Sequence, residues 1–230
     1  MTINKQLNEV LYRIGNTPTF IPAHRTSFKQ GYSFSKEPFE TQLAIWNYIW
    51  KHSDNKLAQI HAFFFLEQYV KKKEFLSAIW DTSVSWQEDV NDWGFCDALA
   101  KINTKALEVY PDEVYIQLAL WNKDKNLWKR RQSLVSLLYF SRTKKIFLPF
   151  NKIAELVEPL LTDKEYYVQK GVGWALREMN TVYPGDTLPF LQKHIKNINP
   201  IAFTIAIEKM SDEEKIRLKG LRKLKIDKEP

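Results

Sequence analysis

Four short segments, written one above another, repeat at a spacing that restricts what this chain can fold into. They are Asp54-Asn55-Lys56-Leu57-Ala58, Asp89-Val90-Asn91-Asp92-Trp93, Asp124-Lys125-Asn126-Leu127-Trp128 and Asp163-Lys164-Glu165-Tyr166-Tyr167, with aspartates 35, 35 and 39 residues apart. The second and third share the pattern Asp-x-Asn-x-Trp. In three of the four an aromatic stands one helical turn after the aspartate, as Trp93, Trp128 and Tyr167. An aspartate so placed can accept hydrogen bonds from the orphan N–H groups that open a helix, so each segment is predicted to be an N-cap. A helix pair recurring about every 40 residues buries its apolar face only by stacking on its neighbours. The expectation is therefore an all-α chain, a HEAT-like or armadillo-type α-solenoid of antiparallel helix pairs with a concave groove lined by one helix from each repeat.

The apolar periodicity agrees. Leu43, Ile45, Trp46, Ile49 and Trp50 fall in one window, and Phe63, Phe64, Leu66, Tyr69 and Val70 in the next, at the three- and four-residue spacing of amphipathic helices. No segment alternates in the strand pattern between hairpin turns. Asn16-Thr17-Pro18, Tyr110-Pro111-Asp112, Leu148-Pro149, Tyr183-Pro184-Gly185 and Asn199-Pro200 each suit a helix boundary. With no linker-like stretch between them, these features predict one continuous domain over 1–230 of about ten helices. Basic N-terminal helices occupy about 1–33, repeats about 34–224 and a short tail 225–230. A last helix is expected over Asp212 to Leu224.

At 230 residues and 44% hydrophobic, the chain is long and apolar enough to bury a core, which excludes a disordered polyelectrolyte. The single cysteine, Cys96, excludes an internal disulfide and a cysteine-rich zinc site. His24, His52, His61 and His194 show no ligand spacing, so no metal and no cofactor are expected. No signal segment or membrane-length apolar run is visible, which predicts a cytoplasmic protein without membrane association. A monomer is expected.

Charge points to the partner. The net charge is +7, and between Trp121 and Lys152 nine lysines and arginines face one acid, Asp124. Local density of this kind is what a phosphate backbone rewards through counterion release, although a solvated helix face is the ordinary alternative.

Trp93 and Asp97 are four apart and project from one helix face. In solenoid register Arg131 falls one repeat after Cys96, and Trp174 lies on the helix following Asp163. These four side chains are predicted to converge on the concave side, bringing two indoles, a carboxylate and a guanidinium into one groove. Trp93-Gly94-Phe95-Cys96-Asp97, Trp128-Lys129-Arg130-Arg131 and Lys170-Gly171-Val172-Gly173-Trp174-Ala175-Leu176-Arg177-Glu178 resemble the DNA alkylation repair family, the AlkD-type DNA glycosylases built from HEAT-like repeats. The likeness runs from about Phe34 to Leu224.

The resemblance implies a monofunctional DNA glycosylase acting in base excision repair, with double-stranded DNA carrying alkylated bases as its partner. It would hydrolyse the N-glycosidic bond of positively charged N3- or N7-alkylated purines, without lyase activity. Asp97 would be the catalytic carboxylate, Trp93 and Trp174 would hold the lesion's deoxyribose, and Arg131 would engage the DNA backbone, with Arg130, Lys129 and Lys170 as further DNA contacts. The chemistry is coherent on its own terms. A cationic base leaves with little protonation, and the barrier is positive charge building on the sugar, which one carboxylate beside C1′ can offset. Indole faces favour that cationic character.

Other readings of the same residues stand beside this one. Asp97 could pair with Lys101 four residues on, and Trp93, Trp128 and Trp174 could be core aromatics, the role that suits Trp128 best. Arg130 and Arg131 are adjacent on a helix and cannot both face one groove, so at least one is expected to be solvated or on a phosphate at the rim. Cys96 is expected to be a small buried apolar residue. The alternative function is a non-catalytic HEAT-repeat protein that binds damaged or branched DNA.

Overall fold

The computed structural model describes residues 3–138 and 146–226. All of the regular structure among them is helical, and they fall into two compact units, 1–89 and 90–230. Arg142, Lys144 and Lys145 of the basic window, and residues 227–230 of the tail, lie outside the described residues.

The first unit contains α1 (Ile3–Gly15), α2 (Ile21–Lys29), α3 (Phe39–His52), α4 (Lys56–Tyr69) and α5 (Lys73–Trp86), followed by a 3-10 turn over Gln87–Asp89. The two expected apolar windows fall in α3 and α4, and Trp46, Ile49 and Trp50 are buried on α3 as expected. On α4 the consecutive residues Ala62, Phe63, Phe64, Phe65 and Leu66 are all buried, so this helix is enclosed on most sides instead of being amphipathic. Trp50 and Trp86 stack with ring centroids 4.3 Å apart and planes 2° from parallel. Burying two indoles requires partners for both N–H groups. Trp50 Nε1 donates to Asp89 at 3.0 Å and Trp86 Nε1 to Asn47 at 2.7 Å.

The second unit contains α6 (Trp93–Leu107), α7 (Pro111–Asn122), α8 (Leu127–Val135), α9 (Phe150–Val157), α10 (Tyr166–Val182), α11 (Pro184–Lys193), α12 (Pro200–Ala206) and α13 (Asp212–Ile226). Its core is built from Leu99, Ile102, Leu118, Leu134, Val172, Leu176 and Met179. α8 packs against both α6 and α10, and α10 packs against α12. Gly173 permits the last contact. A Cβ there would lie 2.8 Å from the Ala202 carbonyl oxygen and 2.8 Å from Ile205 Cβ.

Every proline cluster marks a helix boundary. Pro111, Pro184 and Pro200 occupy the first helical position, where the missing N–H costs no hydrogen bond. Among the described residues there are thirteen α-helices rather than the expected ten, because α2, α8, α9 and α12 have nine, nine, eight and seven residues, too few turns to show a period.

The repeated aspartates do not cap helices as expected. The caps stand one to three residues later: Asn55 accepts from Leu57 N, Asp92 from Phe95 N and Asn126 from Trp128 N. Asp124 instead accepts from Asn126 N at 2.7 Å and Asp163 from Glu165 N at 2.8 Å, so each holds the residue that begins the helix. Such an Asx turn satisfies the carboxylate locally and leaves the capping position to the residue two places on. Asp89 differs again, taking Trp50 Nε1 at 3.0 Å and Lys51 Nζ at 2.6 Å. No helix among the described residues is long and apolar enough to cross a membrane.

Candidate active site

α6 begins with a capped turn that fixes the direction of its exposed face. Asp92 Oδ1 accepts the Phe95 N–H at 3.0 Å, and Trp93 occupies the first helical position. Phe95, Cys96, Leu99 and Ala100 turn inward and are buried. Trp93, 55% exposed, and Asp97 one turn later therefore lie on the outer face. Cys96 is buried against the chain, its Sγ 3.8 Å from the Trp128 carbonyl oxygen. Burial pushes its thiol up, despite the opposing field of Arg131, so Cys96 stays a neutral thiol rather than a nucleophile.

Arg131 links three helices. Its Nη2 donates to Asp97 Oδ1 at 2.6 Å, and its Nη1 donates to the Tyr167 carbonyl at 2.9 Å. The guanidinium side chain is 7% exposed and the carboxylate 26%, so the pair is closed on the arginine side and open on the acid side. Among the described residues no hydrogen bond reaches Asp97 Oδ2. Arg131 Nε is buried without a partner. Gly171 packs against the arginine, and a Cβ there would lie in ordinary contact with Arg131 Cγ at 3.4 Å and Nη1 at 3.7 Å. Tyr167, Gly171 and Trp174 follow at i, i+4 and i+7 on α10, which places half-buried Trp174 on the stripe that faces Arg131.

The other basic residues named from sequence are disposed differently. Arg130 Nε donates to Asp163 Oδ2 at 2.7 Å, and its Nη1 donates to the carbonyls of Asp124 and Lys125, both at 2.9 Å. Lys129 Nζ lies 3.2 Å from Asp124 Oδ2 with its side chain 14% exposed. These two hold the loop ends before α8 and α10. The Asn126 N–H, with Lys129 and Arg130 adding, keeps the Asp124 carboxyl below its usual range. Lys170 is exposed, its Nζ 5.9 Å over the Tyr166 ring.

Neither Arg130 nor Arg131 is the solvated rim residue that adjacency on a helix suggests. Each finds an acid in a neighbouring repeat, Arg131 on the side of α6 and Arg130 on the side of α10. Sequence reasoning misses Asp163 as a partner and the Tyr167 carbonyl as an anchor. A backbone carbonyl leaves no signal in the sequence, whereas Asp163 stands in the repeat, where its spacing reads as capping.

Helices packed in succession, with no other regular structure among the described residues, define an all-helical protein of the helical-repeat class. The model of the family described as DNA alkylation repair enzyme matches residues 21–210, and the chain belongs to that family. A comparison with curated protein sequences finds no match. Among solved structures, AlkD2 from Streptococcus mutans is similar, at 19% identity and a TM-score of 0.64 over 92% of this chain and 100% of that one. The smu.31 protein from Streptococcus mutans UA159 gives 18% and 0.63, covering 91% and 100%. A protein described as a predicted DNA alkylation repair enzyme from Enterococcus faecalis gives 17% and 0.63, covering 92% and 95%. At these identities the likeness shows the fold, an AlkD-type helical architecture.

Proposed function

We propose that this protein is a DNA glycosylase that hydrolyses the N-glycosidic bond of positively charged N3- or N7-alkylated purines in duplex DNA. The observation that carries the reading is the Asp97–Arg131 pair, with one carboxylate oxygen engaged at 2.6 Å and the acid still a quarter exposed. Membership of the DNA alkylation repair enzyme family supports the substrate class.

The residues have distinct tasks. In the substrate, the bond from C1′ to the purine nitrogen breaks and its electron pair moves to the base, cancelling the base's formal charge. Positive charge then gathers on C1′ and the ring oxygen. Asp97, held and oriented by Arg131, offsets that charge through Oδ2 and directs a water at C1′. The water adds its oxygen to C1′ and gives up its proton to the Asp97 carboxylate, leaving an abasic sugar. Trp93, and Trp174 on the stripe facing Arg131, pack flat faces against the sugar, where ring quadrupoles favour cationic character. Arg131 acts here by holding the acid, with Lys170 as the exposed phosphate contact.

Asp97, a quarter exposed, with exposed Trp93 one turn before it, implies that bulky alkyl adducts are accepted as well as methyl groups. The test is incubation with duplex DNA carrying either adduct, followed by chromatography of free bases. Release of both is expected. Release of methylated bases alone contradicts the open face, and tight duplex binding with no release makes this a binding protein for damaged DNA.

A further inference from the structure

Of the repeated aromatics one turn after the aspartates, Trp93 is used in the chemistry assigned to Asp97, and the rings of Trp128 and Tyr167 are not. Trp93 is the first residue of α6, Trp128 the second of α8 and Tyr167 the second of α10. Equivalent repeat positions thus set an aromatic in the first turn of three helices that pack in order. Trp128 and Tyr167 are in ring contact, with centroids 5.0 Å apart. Tyr166 extends the row, its centroid 5.2 Å from Tyr167 in an edge arrangement.

Trp93, Tyr166 and Tyr167 are open to solvent, and Trp128 is half-buried beside Tyr167. Trp93 is 55% exposed, Tyr166 53% and Tyr167 37%. Large aromatics left bare in this number are unusual away from a binding surface. The charge around Tyr166 and Tyr167 selects the occupant. Asp124 and Asp163 are neutralised by Lys129 at 3.2 Å and Arg130 at 2.7 Å. Lys123, Lys125, Lys164 and Lys170 remain exposed against one exposed acid, Glu165. Three helix N-termini add positive potential along the same edge.

We propose that the edge formed by Trp128, Tyr166 and Tyr167 stacks an unpaired nucleobase of the bound DNA while the surrounding lysines hold its phosphates. The proposal rests on the reading of this chain as a DNA-binding repair protein, and it names the feature of the substrate that this edge recognises. A flat π-face suits any base, and base–aromatic stacking with flanking lysines is how nucleic-acid surfaces engage single strands without reading sequence. A fully paired duplex has no base free to stack there, so the edge adds affinity for DNA that is bulged, gapped or opened at a lesion.

The test uses fluorescence anisotropy with two labelled duplexes, one fully paired and one carrying a single bulged base, for the full chain and two variants. The bulged duplex is expected to bind about tenfold more tightly to the unaltered protein. Joint Tyr166→Leu and Tyr167→Leu substitution is expected to remove that preference while leaving paired-duplex affinity within about twofold. Joint Tyr166→Phe and Tyr167→Phe substitution keeps the rings and is expected to retain it. The Tyr167 carbonyl that anchors Arg131 is backbone and survives both changes. Equal binding of the two duplexes by the unaltered protein overturns the stacking edge and leaves DNA binding intact. Failure to bind either duplex overturns the edge together with the reading beneath it.

Discussion

Arg131 reaches from α8 to the Asp97 carboxylate on α6 at 2.6 Å and, with its other terminal nitrogen, to the Tyr167 carbonyl on α10 at 2.9 Å. One side chain therefore fixes both the position of the candidate acid and the packing of three helices. Changing either end of this contact should separate chemistry from folding in a predictable way.

Arg131→Ala removes a charge-assisted hydrogen bond and leaves the Tyr167 carbonyl and Asp97 without their partner. Stability should fall by about 2 kcal/mol, and base release should drop by at least tenfold because the acid loses its orientation. Arg131→Lys keeps the charge but cannot span both acceptors, so it should recover only part of either property. Urea denaturation and single-turnover base release measure the two effects separately.

Gly173→Ala places a methyl group 2.8 Å from the Ala202 carbonyl oxygen, a backbone atom that cannot swing aside. A loss of roughly 1–3 kcal/mol is expected as α10 and α12 move apart. At Gly220, within α13, an added Cβ would meet nothing within 4 Å. There Gly→Ala should stabilise by about 0.5–1 kcal/mol through helix propensity. Opposite shifts in the urea midpoint would distinguish close packing from backbone entropy.

In the first unit, His24 Nδ1 and His61 Nε2 share a hydrogen bond at 3.0 Å, and His61 Nδ1 shares another with Tyr32 Oη at 2.5 Å. Burial, with the fields of His24 and Arg13 adding, depresses His61 from 6.5 to about 4, and burial lowers His24 as well. The unfolded chain binds more protons than the folded one between these values. Stability is therefore complete above pH 6.5 and declines as the pH falls towards 4, by about 3 kcal/mol for His61. Thermal unfolding across this range should show the decline, and His61→Gln should flatten most of it.

Much of the fold is legible along the chain because its signals are local. The apolar windows that become α3 and α4, the proline-marked starts of α7, α11 and α12, and the repeat that begins α6, α8 and α10 can all be read from neighbouring residues. The caps are displaced because aspartate satisfies itself equally well by holding a residue two places on, and spacing alone does not separate these uses. The Asp97–Arg131 contact follows from repeat register. The fates of Arg130 and Lys129 do not, because the acids they neutralise, Asp163 and Asp124, read as helix ends. Charge counting over that window overstates the free positive surface for the same reason.

The central claim is that one carboxylate, Asp97, carries the chemistry on DNA. It is tested most directly by measuring free methylated purine released from alkylated duplex DNA by the unaltered protein and by Asp97→Asn, with duplex affinity recorded in parallel. The account predicts release by the first, a loss of at least about a hundredfold in the second, and affinity unchanged within about threefold. Undiminished release by Asp97→Asn would contradict it.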